Sequence, residues 1–317
     1  SRISFHEALM PNPEHGAAAL AWLYFGIGER PPVHGQDMNA ALSDYRPPAV
    51  VADIALDLKG RGRYEVRQRP QGLGKQGRSH HKATGHKTPT EFRTDGGGIL
   101  RYTYCDPAFI MGTPMTEAQP LSDWAHISAQ NRWQGVIFAS PKGTRIVPTV
   151  RPENGWVTLN AWWSVQSRGS LITQKLKYHR GGAEMIVWMS EAGLTTEMEE
   201  EGLVFVEAED AYAAIRVVRG GYGWENEIIT YHGADSRTTV SPPGKMMILH
   251  DEYSPVIVEV MAKSDLLSFK AFKARVKECE LLMEGTVLHY SSIYGDLLTL
   301  DTGYEKKHTI NGQPVNY

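Results

Sequence analysis

Tyr178, His179 and Arg180 place a phenol, an imidazole and a guanidinium at consecutive positions, after the strand-like LITQKLKY and before Gly181-Gly182. At a strand end, where binding loops gather, such a set could supply a proton acceptor, a proton donor and a cation opposing a developing anion. It is equally the polarity of an exposed turn, and both readings stay open. Tyr231-His232 before Gly233 repeats the phenol and imidazole pair with less around it. Asn131, Arg132, Trp133 and Gln134 stand just before the apolar run GVIFAS. Amide donors, a guanidinium and an indole suit a carboxylated sugar, with the indole stacked on the ring and the guanidinium meeting the carboxylate. Packing of Trp133 alone is the alternative. Tyr102 and Tyr104 flank Thr103, so a strand places both rings on one face, as ligand contacts or as cross-strand aromatics.

A second group lies in RQRPQGLGKQGRSHHKATGHKTPT, which has almost no large apolar residue and reads as a long surface loop. There His80, His81 and His86 accompany Arg78, Lys82 and Lys87, a basic set able to meet a sulfated or carboxylated chain. A divalent metal on the three histidines is the lesser reading, because adjacent histidines rarely face one ion and the spacing matches no strong motif. The expectation is therefore no cofactor and no metal. Glu197, Glu199, Glu200 and Glu201 before Gly202 read as a solvated acidic turn. Gly96–Gly98 lacks the Lys-Ser/Thr of a phosphate cradle, and no G-x-S-x-G elbow is present. Cys105 and Cys279 are too few and too far apart for a disulfide framework or a thiolate zinc site.

These groups must be positioned by a chain of 317 residues, enough for one large or two ordinary domains. Apolar residues make up 41%, with 8 Trp, 14 Tyr and 8 Phe, which excludes a disordered chain or a coiled coil. A net charge of −3 offers no global positive field, so neither nucleic acid nor a membrane surface is an expected partner. No apolar run approaches the ~18 residues of a spanning helix. Ser1 is not an initiator Met, and the expectation is a start that was processed, cloned or cut from a longer chain.

Residues 1–60 read as a helical segment. PEHGAAALAWLYF is apolar on nearly every side, and Val51, Ile54, Ala55 and Leu58 fall at helical spacing after Pro47-Pro48. Too few to close a domain alone, these helices either cap another domain or end a larger helical one. Residues 61–90 are the basic loop or linker. Residues 91–317 change to short Val, Ile, Tyr and Trp-rich runs bounded by Gly, Pro or Asn, such as ILRYTY, AEMIVWMS, YAAIRVVRG and PVIVEVMA. About ten such runs without alternating helices predict an antiparallel β-sandwich. One helix near 264–282 is inserted, with Ser264-Asp265 as its expected cap and Leu266, Phe269, Phe272, Val276 and Cys279 as its apolar stripe. The fold class expected is mainly β, a large antiparallel sandwich preceded by a short helical segment, for which a cap and the end of a larger helical domain such as an (α/α) toroid both stay open.

That layout resembles the C-terminal part of toroid-plus-sandwich polysaccharide lyases of the heparinase II/III-like and alginate-lyase-like kinds. The stretches that carry the resemblance are SDYRPPAVVADIALD at Ser43–Asp57, RYTYCDPAFIMGT at Arg101–Thr113, NRWQGVIFAS at Asn131–Ser140, LVFVEAEDAYAAIRVV at Leu203–Val218, and SSIYGDLLTLDT with INGQPV near the end. The resemblance implies β-elimination on an acidic, uronate-containing polysaccharide, an upstream helical domain of the same gene product as partner, and a secreted or periplasmic location. Such chemistry neutralises the sugar carboxylate, removes the C5 proton with a Tyr or His, and protonates the leaving O4. No lyase signature helix with its Asn, His and Tyr is visible, so the resemblance itself assigns no catalytic residue. By residue type the catalytic candidates are Tyr178 or His179 as base and Arg132 or Arg180 against the carboxylate. Trp133 stacks on the sugar, and Asn131, Gln134, Tyr102, Tyr104, His80 and His81 complete the substrate contacts. A glycoside hydrolase of similar architecture and a non-catalytic carbohydrate-binding or structural module remain the alternatives.

Overall fold

The alternation of apolar and polar residues along short runs resolves into sheets in the computed structural model, which describes residues 44, 46–57, 60, 62–68, 99–116, 134–140, 144–151, 162–175, 184–225, 230–232, 238–240, 244–266 and 268–317. One face of the molecule is an eight-stranded sheet. In spatial order it holds β1 (Tyr64–Gln68), β2 (Ile99–Asp106), β3 (Phe109–Thr116), β4 (Gly135–Phe138), β5 (Arg145–Arg151), β8 (Glu184–Ser190), β15 (Gly244–Leu249) and β12 (Tyr222–Glu225). A six-stranded sheet follows the order β6 (Trp162–Ser167), β7 (Ser170–Lys175), β16 (Val256–Ala262), β11 (Ala211–Val217), β10 (Leu203–Glu207) and β9 (Thr196–Glu200). The pairings are antiparallel, and the chain is mainly β, in agreement with the sandwich expected. A small hairpin pairs β13 (Thr230–His232) with β14 (Thr238–Val240).

The two large sheets meet over Leu100, Tyr102, Met111, Val136, Ile146 and Val187 from one side and Leu171, Val204, Ile215, Val258 and Val260 among the buried residues of the other. Near-continuous apolar runs such as EMIVWMS in β8 bury both faces. Accordingly Ile186 and Trp188 of β8 join Val147 and Met246 in a second cluster, apart from the main core.

The C-terminal part forms a third layer. A 3-10 turn at Lys263–Asp265 leads to helix α2 (Phe269–Lys277), then to a five-stranded sheet of β17 (Leu281–Glu284), β18 (Val287–Ser291), β19 (Leu297–Asp301), β20 (Thr309–Ile310) and β21 (Gln313–Pro314). This layer lies on the face of the six-stranded sheet turned away from the eight-stranded one. Phe272 stacks on Tyr212 of β11, Trp163 of β6 donates to the Asp301 carbonyl, and the Tyr294 hydroxyl donates to the Val260 carbonyl. The six-stranded sheet is thus a middle layer.

Three expectations change. The helix runs only from Phe269 to Lys277, and its cap is Ser268, whose hydroxyl accepts from the Ala271 amide at 3.1 Å. Ser264 lies instead in the 3-10 turn, because Leu266 is extended (φ −137°) and breaks the helical path. Leu281 and Leu282, expected in the helix, open β17. Within the basic loop 61–90, residues 64–68 form edge strand β1 on β2, and Arg63 beside it pairs with Asp106 and Asp265. Of the expected N-terminal helices, α1 (Ala49–Leu56) is described, starting after Pro48 as the Pro47-Pro48 signal implies. The apolar segment 13–25 lies outside the described residues.

Candidate functional site

Most of the residues chosen from sequence lie outside the described residues: His80, His81, Asn131, Arg132, Trp133, Tyr178, His179 and Arg180. Gln134, Tyr102 and Tyr104 are placed, and all three belong to the interior. The Gln134 carbonyl oxygen accepts from the hydroxyls of Thr173 at 2.6 Å, Ser164 at 3.1 Å and Thr113 at 3.4 Å, while its amide nitrogen donates to the Pro148 carbonyl at 3.2 Å. Its amide therefore clamps the two large sheets together, and its groups already have partners inside the sandwich. The next residue makes this approach feasible. Gly135 has φ +125°, and a Cβ there would stand 2.4 Å from the Ile146 carbonyl oxygen.

Tyr102 and Tyr104 do share one face, the inner one. The Tyr102 hydroxyl accepts from the Arg168 amide at 3.0 Å, and Arg67 lies 5.6 Å from its ring centre. Tyr104 packs against Phe109 and edge-on to Tyr294. Burial pushes both phenols above their ordinary value, Tyr102 strongly so, and both serve as cross-strand aromatics.

The described polar groups nearest in chain to Tyr178, His179 and Arg180 gather at the end of β7. Lys175, the last residue of that strand, has a buried side chain, with 2% exposure. Its ammonium pairs with Glu252 in the turn between β15 and β16 and lies 5.1 Å from the Tyr253 ring centre. Its carbonyl accepts from the Tyr304 hydroxyl at 2.8 Å, and that hydroxyl accepts from Gln174 Nε2 at 2.7 Å. The turn is braced by Arg219, which meets Asp251 at 2.5 Å and donates to the Tyr253 carbonyl at 2.9 Å. Asp251 lies below the usual carboxylate range, since burial, which would raise it, is outweighed by Arg219 and the Tyr253 amide. Burial and the neighbouring Glu252 raise the Tyr253 phenol, and burial raises Tyr304 further.

Chemically this rim offers a fixed cation beside phenols and carboxylates, at the point where the chain leaves the sheet. Among the described residues there is no ready phenolate. Burial raises Tyr102, Tyr104, Tyr222, Tyr253, Tyr290, Tyr294 and Tyr304 alike. Sequence reasoning missed Lys175, the adjacent pair Glu252-Tyr253, and Tyr304, three places far apart along the chain that the fold brings together. The available signal was a lysine in register with Leu171 and Thr173, on the face that packs inward.

Among the described residues no group of three or more His, Cys, Asp or Glu is placed to hold a metal ion, and no helix is long and apolar enough to cross a membrane. Both cysteines are buried thiols, and neither is in a disulfide.

No family model and no curated protein matches the sequence. Two solved structures of a heparinase III, one with methylated lysines, are similar at 8% identity over 68% of this chain, with TM-scores of 0.22 and 0.20. Those scores do not establish a shared fold. This chain spans about a quarter of the heparinase III chains, 26% of each.

Proposed function

We propose that this chain is the sandwich portion of a carbohydrate-active, polysaccharide lyase-like enzyme that cleaves an acidic, uronate-containing polysaccharide by β-elimination. The observation that carries the reading is the rim at the end of β7. There Lys175 is fixed by Glu252 and Tyr304, next to Tyr253, and the chain continues from it toward Tyr178, His179 and Arg180. A rigid strand end with a held cation, followed in sequence by a phenol, an imidazole and a guanidinium, suits a carboxylated sugar whose reaction creates an enolate-like anion. On this reading Tyr178 or His179 takes the C5 proton, Arg132 or Arg180 opposes the carboxylate, and Trp133 stacks on the ring. An upstream helical domain closes the cleft, and the protein acts outside the cytoplasm, secreted or periplasmic.

A non-catalytic carbohydrate-binding module is the second reading. The raised phenols favour it, because a phenol held protonated by burial is a poor base near neutral pH. Incubation of the full chain with uronate polymers separates the two. Appearance of the near-ultraviolet absorbance of an unsaturated uronate, lost in Tyr178→Phe or His179→Ala, supports elimination. New reducing ends without that absorbance point to a glycoside hydrolase, and retention on the polymer without cleavage points to the binding module.

A further inference from the structure

We infer that Glu259 is a proton-operated latch, which holds the C-terminal layer on the middle sheet as a neutral acid and loosens that contact when it ionises. Glu259 lies on β16, directly opposite Ser170 of β7, on the face of the middle sheet that the C-terminal layer covers. It is 1% exposed. Its two oxygens reach the two layers separately. Oε2 pairs with the Ser170 hydroxyl at 2.5 Å within the sheet, and Oε1 accepts from the Ile293 amide at 3.3 Å, in the turn that joins β18 to β19. The Tyr290 hydroxyl of β18 is a further hydrogen-bond partner. A carboxyl so placed is a joint between layers, and its charge decides what the joint costs.

The groups facing it are named by element. The middle sheet contributes Ser170 and Arg216, which lies on the same face of β11. The C-terminal layer contributes Tyr290, Tyr294 and Cys279. Burial raises all three of these, Cys279 to about 11, so they stay neutral with Glu259 and offer it no cation. Arg216 is the charge that opposes ionisation cost, and it does not prevail. Burial, against the hydrogen bonds of Ser170, Tyr290 and Ile293 and the Arg216 charge, pushes Glu259 up to about 8.

An undocked Glu259 meets water and ionises in the ordinary carboxylate range, near 4.5. Docking therefore takes up one proton between that value and about 8. Docking is tightest below the lower value, weakens by up to about tenfold per pH unit across the interval, and levels off above the upper one. His308, in the same layer, acts in the opposite sense but only below its ordinary value of 6.5, so the interval from 7 to 8 isolates Glu259.

The test uses the full chain, with Glu259→Gln as the neutral isostere. Amide hydrogen exchange of β18 and β19 is followed between pH 6.5 and 9, beside a carboxyl infrared titration of the wild type. The expected result is a wild-type carboxyl that loses its protonated carbonyl band near pH 8. Wild-type opening, corrected for intrinsic exchange, should rise toward a plateau over the same range and stay flat in the Gln variant. Should Glu259→Gln fail to fold, Ser170→Ala serves instead, and removing that hydrogen-bond donor should move the carbonyl titration to higher pH. The inference is overturned if the wild type shows no carboxyl titrating above pH 7, or if opening in the Gln variant has the same pH dependence as in the wild type. An infrared titration that does not move in Ser170→Ala would also overturn it.

Discussion

The Trp163 indole donates its Nε1–H to the Asp301 carbonyl at 2.7 Å, across the boundary between the middle sheet and the C-terminal layer. The same ring lies 3.9 Å from His308 and 6.0 Å from Tyr304, centre to centre. One fully buried side chain therefore gathers three parts of that layer. Trp163→Phe keeps most of the apolar area and leaves the carbonyl without this donor, at an expected cost of about 1–3 kcal/mol. Trp163→Ala adds a cavity and should cost about 3–5 kcal/mol. Denaturant unfolding of the two variants should reproduce that order, and equal costs would show that the hydrogen bond contributes nothing.

His308 supplies an acid-sensitive element in the same place. It is fully buried, and neither ring nitrogen has a hydrogen-bond partner among the described residues. Burial lowers it to about 3, with Asp301 working against the shift. Below its ordinary value of 6.5 the unfolded chain takes up a proton that the folded one refuses, so this group's stability contribution is lost as pH falls. The loss should be about 1.4 kcal/mol per pH unit, down toward the folded value. Glu259 offsets it over part of that interval. The informative quantity is therefore the wild type minus His308→Leu, measured by urea midpoints from pH 7 to 4.5. That difference should shift steadily toward the variant on acidification, and a constant difference would contradict a neutral buried His308.

How far these layers could be read from sequence depended on how each strand solves its hydrogen bonds. β8 was legible because AEMIVWMS is apolar without interruption, as a strand buried on both faces must be. β5 was not, since Pro148 stands within RIVPTVR. Pro148 is tolerated because, among the described residues, β4 pairs with β5 through Ile146 and Arg145 and no strand is paired beyond them on that side, where Gln134 meets the Pro148 carbonyl. β9 was hidden by its charge. TEMEE reads as a solvated turn, yet its glutamates line an edge strand on which Glu197 meets Lys245 at 2.5 Å, Glu199 meets the Trp224 indole, and Glu200 meets Lys273 and Lys277. The turn itself is only Glu201-Gly202, both at positive φ as a two-residue hairpin requires.

Site residues were harder for a related reason. Gln134 looks, by its neighbours Asn131 and Arg132, like part of a polar binding run, whereas the unusual backbone of Gly135 turns its amide into the interior. Lys175 looks like an ordinary strand-end lysine, and the β15–β16 turn that closes over it is remote in sequence. Contacts made through sheet order leave no local spacing to detect.

The apolar stripe of α2 was legible, and it makes a sharp prediction. Phe272 is fully buried, stacked on Tyr212 at 5.6 Å and edge-on to Phe205 at 6.4 Å. Phe272→Ala should cost about 3–5 kcal/mol, the range for a buried aromatic. Lys270→Ala, on the same helix outside the buried stripe, should stay within about 0.5 kcal/mol. Thermal or urea unfolding that finds the two variants alike would mean that the helix does not anchor the layer.

The Lys175–Glu252 pair has unequal exposure, and that asymmetry predicts unequal mutants. The Lys175 side chain is 2% exposed while that of Glu252 is 39% exposed. Removing the carboxylate takes the ion-pair partner from a buried ammonium, whereas removing the ammonium leaves a carboxylate that water can still reach. Glu252→Gln should therefore destabilise by about 1–3 kcal/mol, below the 3–5 of a fully buried pair because Glu252 is already partly hydrated. Lys175→Met, similar in length and without charge, should cost less, about 1 kcal/mol or under. The Glu252→Gln loss should persist at high salt, since screening does not reach a buried ammonium. Urea unfolding of both single variants and the double variant, at low and high salt, gives the coupling directly. If Lys175→Met is the more damaging change, the ammonium makes a favourable contribution beyond Glu252, and the rim is held by more than this pair.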